Sequence, residues 1–275
     1  NVKFGKNVWK RYGYLAGTDE ERASDINEMF ADKAVKGILC VHGGWGCARL
    51  LPYLDYQIIK QNPKIIIGYS DITALLLGIH SQTGLVTFHG PEGAATWNEF
   101  TVNHFKSVLM NADKVTYDNP KIMADNLTFT KDRISTIVSG KARGKMLGGN
   151  LTVLCHLMGS KYVPDFKDSI FFCEDVDEPP YSMDRMITHL KLCGVLNDMR
   201  GFVFGKCSSC EVGDGGYGSL TLEDVWEDHI EPTQKPSFTG AMIGHISHKF
   251  TIPIGIDAEI NADLGTIQFM ESAVE

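Results

Sequence analysis

The 275-residue sequence predicts an α/β fold in two parts, and three observations predict it. Short apolar runs alternate with segments of helical period, glycines gather where those runs stop, and a polar stretch divides the chain near its middle. Strand, glycine-rich loop, helix, strand and helix in that order build a parallel sheet of βα units. We place an N-terminal parallel-sheet α/β domain at 1–115, a connection at 116–138 and a C-terminal mixed α/β domain at 139–275.

The elements follow in order. Residues 21–35 carry Ala23, Ile26, Met29, Phe30 and Ala34 at helical spacing, and Thr18 with Glu21 three residues on forms a capping box. Gly37–Val41 is a buried strand that runs into His42-Gly-Gly-Trp-Gly46, followed by a helix-like stretch at Ala48–Ile59. Lys64–Gly68 is a second strand, Asp71–Ser81 a helix, Val86–His89 a third strand and Asn98–Asn111 a further helix. Between 112 and 139 the pattern dissolves into polar residues with Asn119-Pro120. Beyond it, Lys141–Met146 leads through Gly148-Gly-Asn150 into a helix-like run to Met158. Ser169–Cys173 is a strand ending in an acidic turn at Glu174–Glu178, and a helix spans Met183–Cys193. Gly201–Gly205 is a strand, Glu211–Ser219 a loop with four glycines, Thr221–Ile230 a helix, and 238–270 alternates like short strands.

Composition narrows the function classes. Lys and Arg number 26 against 34 Asp and Glu, a net charge of −8, which argues against a nucleic-acid backbone binder. No apolar run reaches the roughly 18 residues of a membrane span. The seven cysteines are odd in number and several sit in apolar runs, so buried free thiols of a reducing, cytoplasmic compartment are expected rather than a disulfide framework. The chain opens without Met and without a basic-then-apolar leader.

Four segments carry chemistry. Ser70, between a buried strand and a helix in Gly68-Tyr-Ser-Asp-Ile-Thr73, fits a nucleophile elbow or a plain helix N-cap. Gly43 and Gly44 end a strand at the same sheet edge, where backbone amides can approach a ligand oxygen. In the acidic cluster Glu174, Asp175, Asp177 and Glu178, one carboxylate can orient a histidine, a pair can hold a divalent cation, or all can be solvated. His245 follows a glycine at a strand end and suits a general base, with His248 its competitor. Cys207-x-x-Cys210 with His245 and His248 is a weak zinc pattern. Arg185 can grip a substrate carboxylate or pair with the acidic turn.

Taken together the motifs resemble the LD-carboxypeptidase family of serine peptidases, which includes the microcin C immunity proteins. The resemblance rests on Tyr14-Leu-Ala-Gly-Thr-Asp-Glu-Glu-Arg22, Gly43-Gly-Trp-Gly-Cys-Ala-Arg49, Gly68–Thr73, Phe88-His-Gly-Pro91, Gly148-Gly-Asn-Leu151, Glu174-Asp-Val-Asp-Glu-Pro-Pro-Tyr181, Asp184-Arg-Met186 and Gly244-His245. It implies a Ser–His–Glu triad of Ser70, His245 and Glu174, with an oxyanion hole from the amides of Gly43, Gly44 and Asp71. It implies hydrolysis of the bond to the terminal D-Ala of a murein tetrapeptide, without metal or organic cofactor, by a homodimer. His42 departs from the family's usual Arg before the glycine pair. The family's opening βαβ segment, about 30 residues or more, is expected to be missing upstream of Tyr14, leaving a chain poorly stable or inactive alone. The 104-residue interval from Ser70 to Glu174 leaves little room for an extra specificity loop, which favours murein peptide over a microcin-type peptidyl-aspartyl nucleotide. A non-catalytic muropeptide-binding protein is the alternative of another class, and an unrelated esterase shares the chain order Ser, Glu, His.

Overall fold

The computed structural model describes residues 1–121, 132–212 and 218–274. In the first part, α1 spans Asp19–Ala31, β1 Gly37–Leu39, α2 Tyr56–Gln61, β2 Ile65–Gly68, α3 Thr73–Thr83, β3 Thr87–His89 and α4 Glu99–Leu109. Next come β4 at Thr116–Tyr117, β5 at Ser135–Val138, β6 at Lys141–Asn150, α5 at Leu151–Leu157 and β7 at Ser169–Val176. They are followed by α6 at Pro180–Leu192, α7 at Val195–Asp198, β8 at Gly201–Ser208 and α8 at Leu222–His229. The chain closes with β9 at Ser237–Thr239, β10 at Ile252–Ile254, β11 at Asp257–Asn261 and β12 at Thr266–Phe269.

Two sheets result. The smaller has the order β1-β2-β3-β10, with the first three strands parallel. Its fourth strand is antiparallel to β3 and comes from the far end of the chain. The larger sheet runs β4-β12-β11-β6-β7-β8-β9-β5, parallel from β6 through β9 and antiparallel at both flanks. Its centre is β7, buried along nearly its whole length, as a strand covered on both faces requires. Helix α3 is apolar all round, with Ala74, Leu76, Leu77 and Ile79 fully buried, and so it lies in the interior. It packs on β2, β3, β6 and α5, which carries the core from one sheet to the other.

Several sequence expectations change in detail. The stretch Ala48–Ile59 is a 3-10 turn at Ala48–Tyr53 and then the short α2. Pro52 cannot continue an α-helical ladder, and the Asp55 carboxylate accepts from the N–H groups of Gln57 and Ile58 and starts a new helix. The polar stretch read as a connection at 116–138 supplies β4 and β5, both edge strands of the larger sheet. Edge strands carry polar residues on their open side, which hid them in the pattern. Residues 122–131 of that stretch and 213–217 of the glycine-rich loop lie outside the described residues.

The thiols also need correction. Cys207 and Cys210 are joined as a disulfide, with Cα atoms 5.5 Å apart, while Cys40, Cys47, Cys155, Cys173 and Cys193 are free. The turn that ends β8 brings two cysteines of separation three within bonding reach, something composition does not reveal. No helix among the described residues is long and apolar enough to cross a membrane.

Candidate active site

Ser70 stands where β2 gives way to α3, with φ of +63°. That left-handed conformation costs a non-glycine residue about 1–3 kcal/mol and is retained where the surroundings enforce it. A 3-10 turn over Ser70–Ile72 follows, and neither it nor α3 has a side-chain cap, so the serine is not serving as an N-cap. Its Oγ has no hydrogen-bond partner among the described residues. Gly68 makes the turn possible, because a Cβ there would stand 2.5 Å from Ile72 Cδ1. The N–H groups of Ile72 and Thr73 are taken up by carbonyls of the turn, and that of Asp71 has no acceptor within it.

The glycine loop lies directly against this serine. A Cβ at Gly43 would fall 2.8 Å from Ser70 Cβ and 3.2 Å from its Oγ, and Gly44 has φ of +84°. Three ties hold the loop. Asp71 Oδ2 accepts from the Cys47 N–H at 2.7 Å, and Arg22, itself paired with Asp19, donates to the Gly46 carbonyl at 3.2 Å. His42 Nδ1 lies 2.6 Å from Glu92 Oε1, so the residue that departs from the usual Arg is anchored to a buried carboxylate.

Glu174 and Asp175 are not in a solvated turn, because β7 extends through Val176 and buries both carboxylates. Only Asp177 of the four acids is exposed. Glu174 Oε2 lies 2.8 Å from His245 Nδ1, and its Oε1 accepts from Asn150 Nδ2 at 3.3 Å. Burial raises the Glu174 carboxyl, but the hydrogen bond and charge of His245 outweigh it and hold the acid below its ordinary value. Burial likewise lowers His245, and the bond to Glu174 reverses the sign, so the imidazole is more basic than usual. With Nδ1–H donating to the carboxylate, Nε2 keeps its lone pair. Asp175 is pushed up to about 6 by burial and by Glu174. It accepts from Asn150 Nδ2, the Thr152 N–H and the Thr152 hydroxyl at 2.9–3.0 Å, and so buttresses the pair.

The fold brings these groups to one place through two close approaches. Gly149, at φ of +150°, lies against Thr73, and the Asn150 N–H donates to Thr73 Oγ1 at 3.0 Å, which fixes β6 to the start of α3. His245 lies in the irregular segment between β9 and β10 rather than at a strand end. Ser208 Oγ donates to the His245 carbonyl at 2.9 Å, and Asn98 and Thr101 both donate to that of Ser247. Gly244, at φ of +130°, passes within contact of Glu174. The Tyr69 ring, one residue before Ser70, meets the His245 ring edge-on with centroids 4.9 Å apart. No bond joins Ser70 to His245, but a single aromatic ring links their positions.

Other predicted residues stand apart. Arg185 is exposed and forms no ion pair with the acidic segment; its guanidinium lies over the Tyr181 ring at 5.7 Å. The zinc pattern is not assembled, because Cys207 and Cys210 bond each other and His248 is exposed beside Phe100. Sequence reasoning missed Tyr69, His89, Asn150 as a carboxylate partner, and Lys249. A lone lysine ahead of the apolar run Phe250–Ile254 was the available signal for the last of these.

Residues 1–90 match the LD-carboxypeptidase N-terminal domain and residues 143–260 the LD-carboxypeptidase C-terminal domain. The chain is 38% identical over 267 residues to a probable murein peptide carboxypeptidase of Bacillus subtilis, covering 94% of this chain and 79% of that protein. It is 31% identical over 288 residues to the microcin self-immunity protein MccF of Escherichia coli, covering 97% and 83%. Among solved structures, MccF in its apo state superposes with a TM-score of 0.88 at 30% identity, covering 98% and 86%, and MccF has also been solved with aspartyl sulfamoyl adenosine. A muramoyltetrapeptide carboxypeptidase from Oxalobacter formigenes gives 0.80 at 29% identity, covering 95% and 86%.

Proposed function

Since the chain belongs to the LD-carboxypeptidase family, we propose that it is a serine carboxypeptidase acting on murein tetrapeptides, with Ser70 as nucleophile, His245 as general base and Glu174 orienting the histidine. The observation that carries this is Ser70 itself. It has a left-handed backbone and a hydroxyl with no hydrogen-bond partner among the described residues, one ring away from the half-buried His245 and its buried partner Glu174.

In this mechanism Ser70 Oγ attacks the carbonyl linking an L-centre residue to the terminal D-Ala while His245 Nε2 takes its proton. The developing oxyanion is met by amides of the Gly43–Gly44 loop and of Asp71, each donor contributing about 2.7–4 kcal/mol by analogy with another serine hydrolase. The imidazolium passes its proton to the departing D-Ala amine. Water, activated by the same imidazole, then cleaves the ester and releases Ser70. Glu174 holds the ring with Nε2 outward and balances its charge while it is protonated. Side chains, backbone amides and water carry the proposed reaction, which invokes no metal or organic cofactor. Arg185 stands in the proposal as a contact for the substrate. A homodimer working in the cytoplasm on recycled wall peptides completes it; five free cysteines support that compartment and the Cys207–Cys210 disulfide counts against it.

The second reading is a peptidase of the microcin-immunity type, acting on a peptidyl-aspartyl nucleotide. It is favoured by the higher structural similarity to MccF, 0.88 against 0.80. The higher sequence identity to the murein enzyme, 38% against 31%, favours the first. The test incubates the protein separately with murein tetrapeptide and with a processed microcin-like aspartyl nucleotide, following D-Ala and peptide release. We expect D-Ala release that vanishes in Ser70→Ala and His245→Ala. Undiminished turnover by Ser70→Ala would overturn the nucleophile, and turnover of the nucleotide alone would select the second reading.

A further inference from the structure

Among the described residues, Lys249 is the only lysine or arginine that is buried, with 3% of its surface exposed. Its ammonium forms no ion pair and donates no hydrogen bond there; it sits over the Tyr69 ring, 3.7 Å from the centroid. The same ring meets His245 edge-on at 4.9 Å and His89 at 6.3 Å. The ammonium is therefore within about 8.6 Å of the imidazole, the sum of the two ring separations. Its backbone is fixed as well, since the Lys249 N–H donates to Thr101 Oγ1 and the Phe250 N–H to the Met242 carbonyl. Holding a lysine with a buried stem and an ammonium that makes no ion pair costs side-chain entropy, so its place beside the proposed base calls for a role other than packing.

We propose that Lys249 is a positioning residue: its ammonium, seated on the Tyr69 ring, holds that ring against His245 and opposes the pull of Glu174 on the imidazole proton. The inference rests on His245 being the general base. A base paired with a buried carboxylate risks being protonated already at neutral pH, which would disable it. A fixed cation behind the ring counters that risk. The groups facing His245 are Glu174 and Asp175, which favour its protonation, and Lys249 and His89, which oppose it. Lys249 in turn is faced by Glu174 and Glu92; burial brings it down to about 8 while those two carboxylates hold it up. It is thus charged at neutral pH and loses its charge in mildly alkaline solution. A cation over Tyr69 and an imidazole meeting it in a T-shaped pair also hold the ring by two contacts, fixing its orientation.

The experiment follows the His245 ring by NMR in protein carrying isotope-labelled histidine, through a pH titration of the native chain, Lys249→Met and Lys249→Arg. His245→Gln assigns the signal. In Lys249→Met the His245 midpoint should rise by about half a pH unit to one unit, the Coulombic effect expected of a charge at this range. Lys249→Arg, which keeps the charge, should bring it back toward the native value. The acid limb of kcat/KM should move by the same amount in the methionine variant. An unchanged midpoint in folded Lys249→Met refutes the proposal. Should that variant not fold, Lys249→Gln takes its place, with the same rise expected and an unchanged midpoint refuting the proposal equally. The titration needs no turnover, so a failure of the carboxypeptidase assignment, seen as no D-Ala release by native protein, is distinguished from a failure of this one.

Discussion

Replacing His89 with glutamine should change how stability responds to acid, and the structure sets the size of the change. His89 is 2% exposed at the end of β3, between Tyr69 and Phe172, and its Nδ1 has no partner among the described residues. Burial, reinforced by Lys249 and His245 and opposed by Glu174, lowers it from 6.5 to about 4. A depressed folded-state value means that the stability it contributes is complete above pH 6.5 and is lost as the pH falls through 4. The loss is about 3 kcal/mol once both limits are passed. Asp175 works in the opposite sense. Its carboxyl is raised from 3.8 to about 6, so its contribution is complete below 3.8 and is lost as pH rises through 6, again about 3 kcal/mol. In the native protein the two nearly cancel across this window. In His89→Gln only the Asp175 gain remains, and the variant should grow relatively more acid-resistant. Urea unfolding of both proteins between about pH 7.5 and pH 4, extrapolated linearly, gives the difference in ΔG with the other carboxylates cancelled. That difference should fall by about 3 kcal/mol on acidification. A difference that stays constant with pH would show that the buried His89 does not resist protonation.

Other consequences are sharper still. Gly43→Ala should lower kcat by about 100-fold, the scale of losing one oxyanion donor, because a Cβ 2.8 Å from Ser70 Cβ would push the loop's amides out of place; a kcat within a factor of two of native would show that the close approach of the loop to Ser70 does not matter to turnover. Ser70→Gly should melt higher than Ser70→Ala, by about 1–2 kcal/mol in stability, since only glycine relieves the left-handed backbone at φ of +63°; equal melting would mean there is no strain there. Gly148→Ala should not yield soluble folded protein, because a Cβ would stand 1.7 Å from the Phe172 carbonyl oxygen in the adjacent central strand. Circular dichroism of the purified variant checks this, and a native spectrum and melt would sink it. Glu174→Gln should lose about 10⁴-fold in kcat/KM through the wrong imidazole tautomer, measured as D-Ala release, while a loss under tenfold would deny the glutamate its orienting role.

Much of the frame was legible because burial leaves a direct trace in composition. Ile65–Gly68 and Ser169–Cys173 are continuous apolar runs, and both are strands buried on both sides. The Thr18–Glu21 capping box is likewise a local pattern, and both reciprocal bonds form. Where the chain relies on distant partners, the trace disappears. Ile252–Ile254 is apolar, but nothing in it tells that it pairs with Thr87–His89 rather than with its own neighbours. For Glu174 and Asp175 the pattern alone left an orienting carboxylate, a cation-binding pair and a solvated turn side by side; their burial depends on Asn150, Thr152 and His245 arriving from elsewhere. Ser70 was visible as an elbow or a cap, and only its φ and its unused hydroxyl separate the two. Tyr69 sits inside the Gly68–Thr73 motif and Lys249 in none, but their pairing could not be read from either, since a cation over a ring is a property of folded geometry.

The strand that β10 returns to the smaller sheet has a consequence for how the protein is made. Until residue 254 has left the ribosome, the β3 edge beside Phe88 lacks its partner, and the histidine at 245 has no fixed place. Residues 1–115 alone would therefore present an open sheet edge to other nascent chains, the kind of surface that promotes aggregation. Contacts of such long sequence separation also close slowly. The proposed nucleophile thus emerges long before its sheet is finished and gains its partner only after residue 254 has followed it, so that the site assembles in one step set by that distant strand.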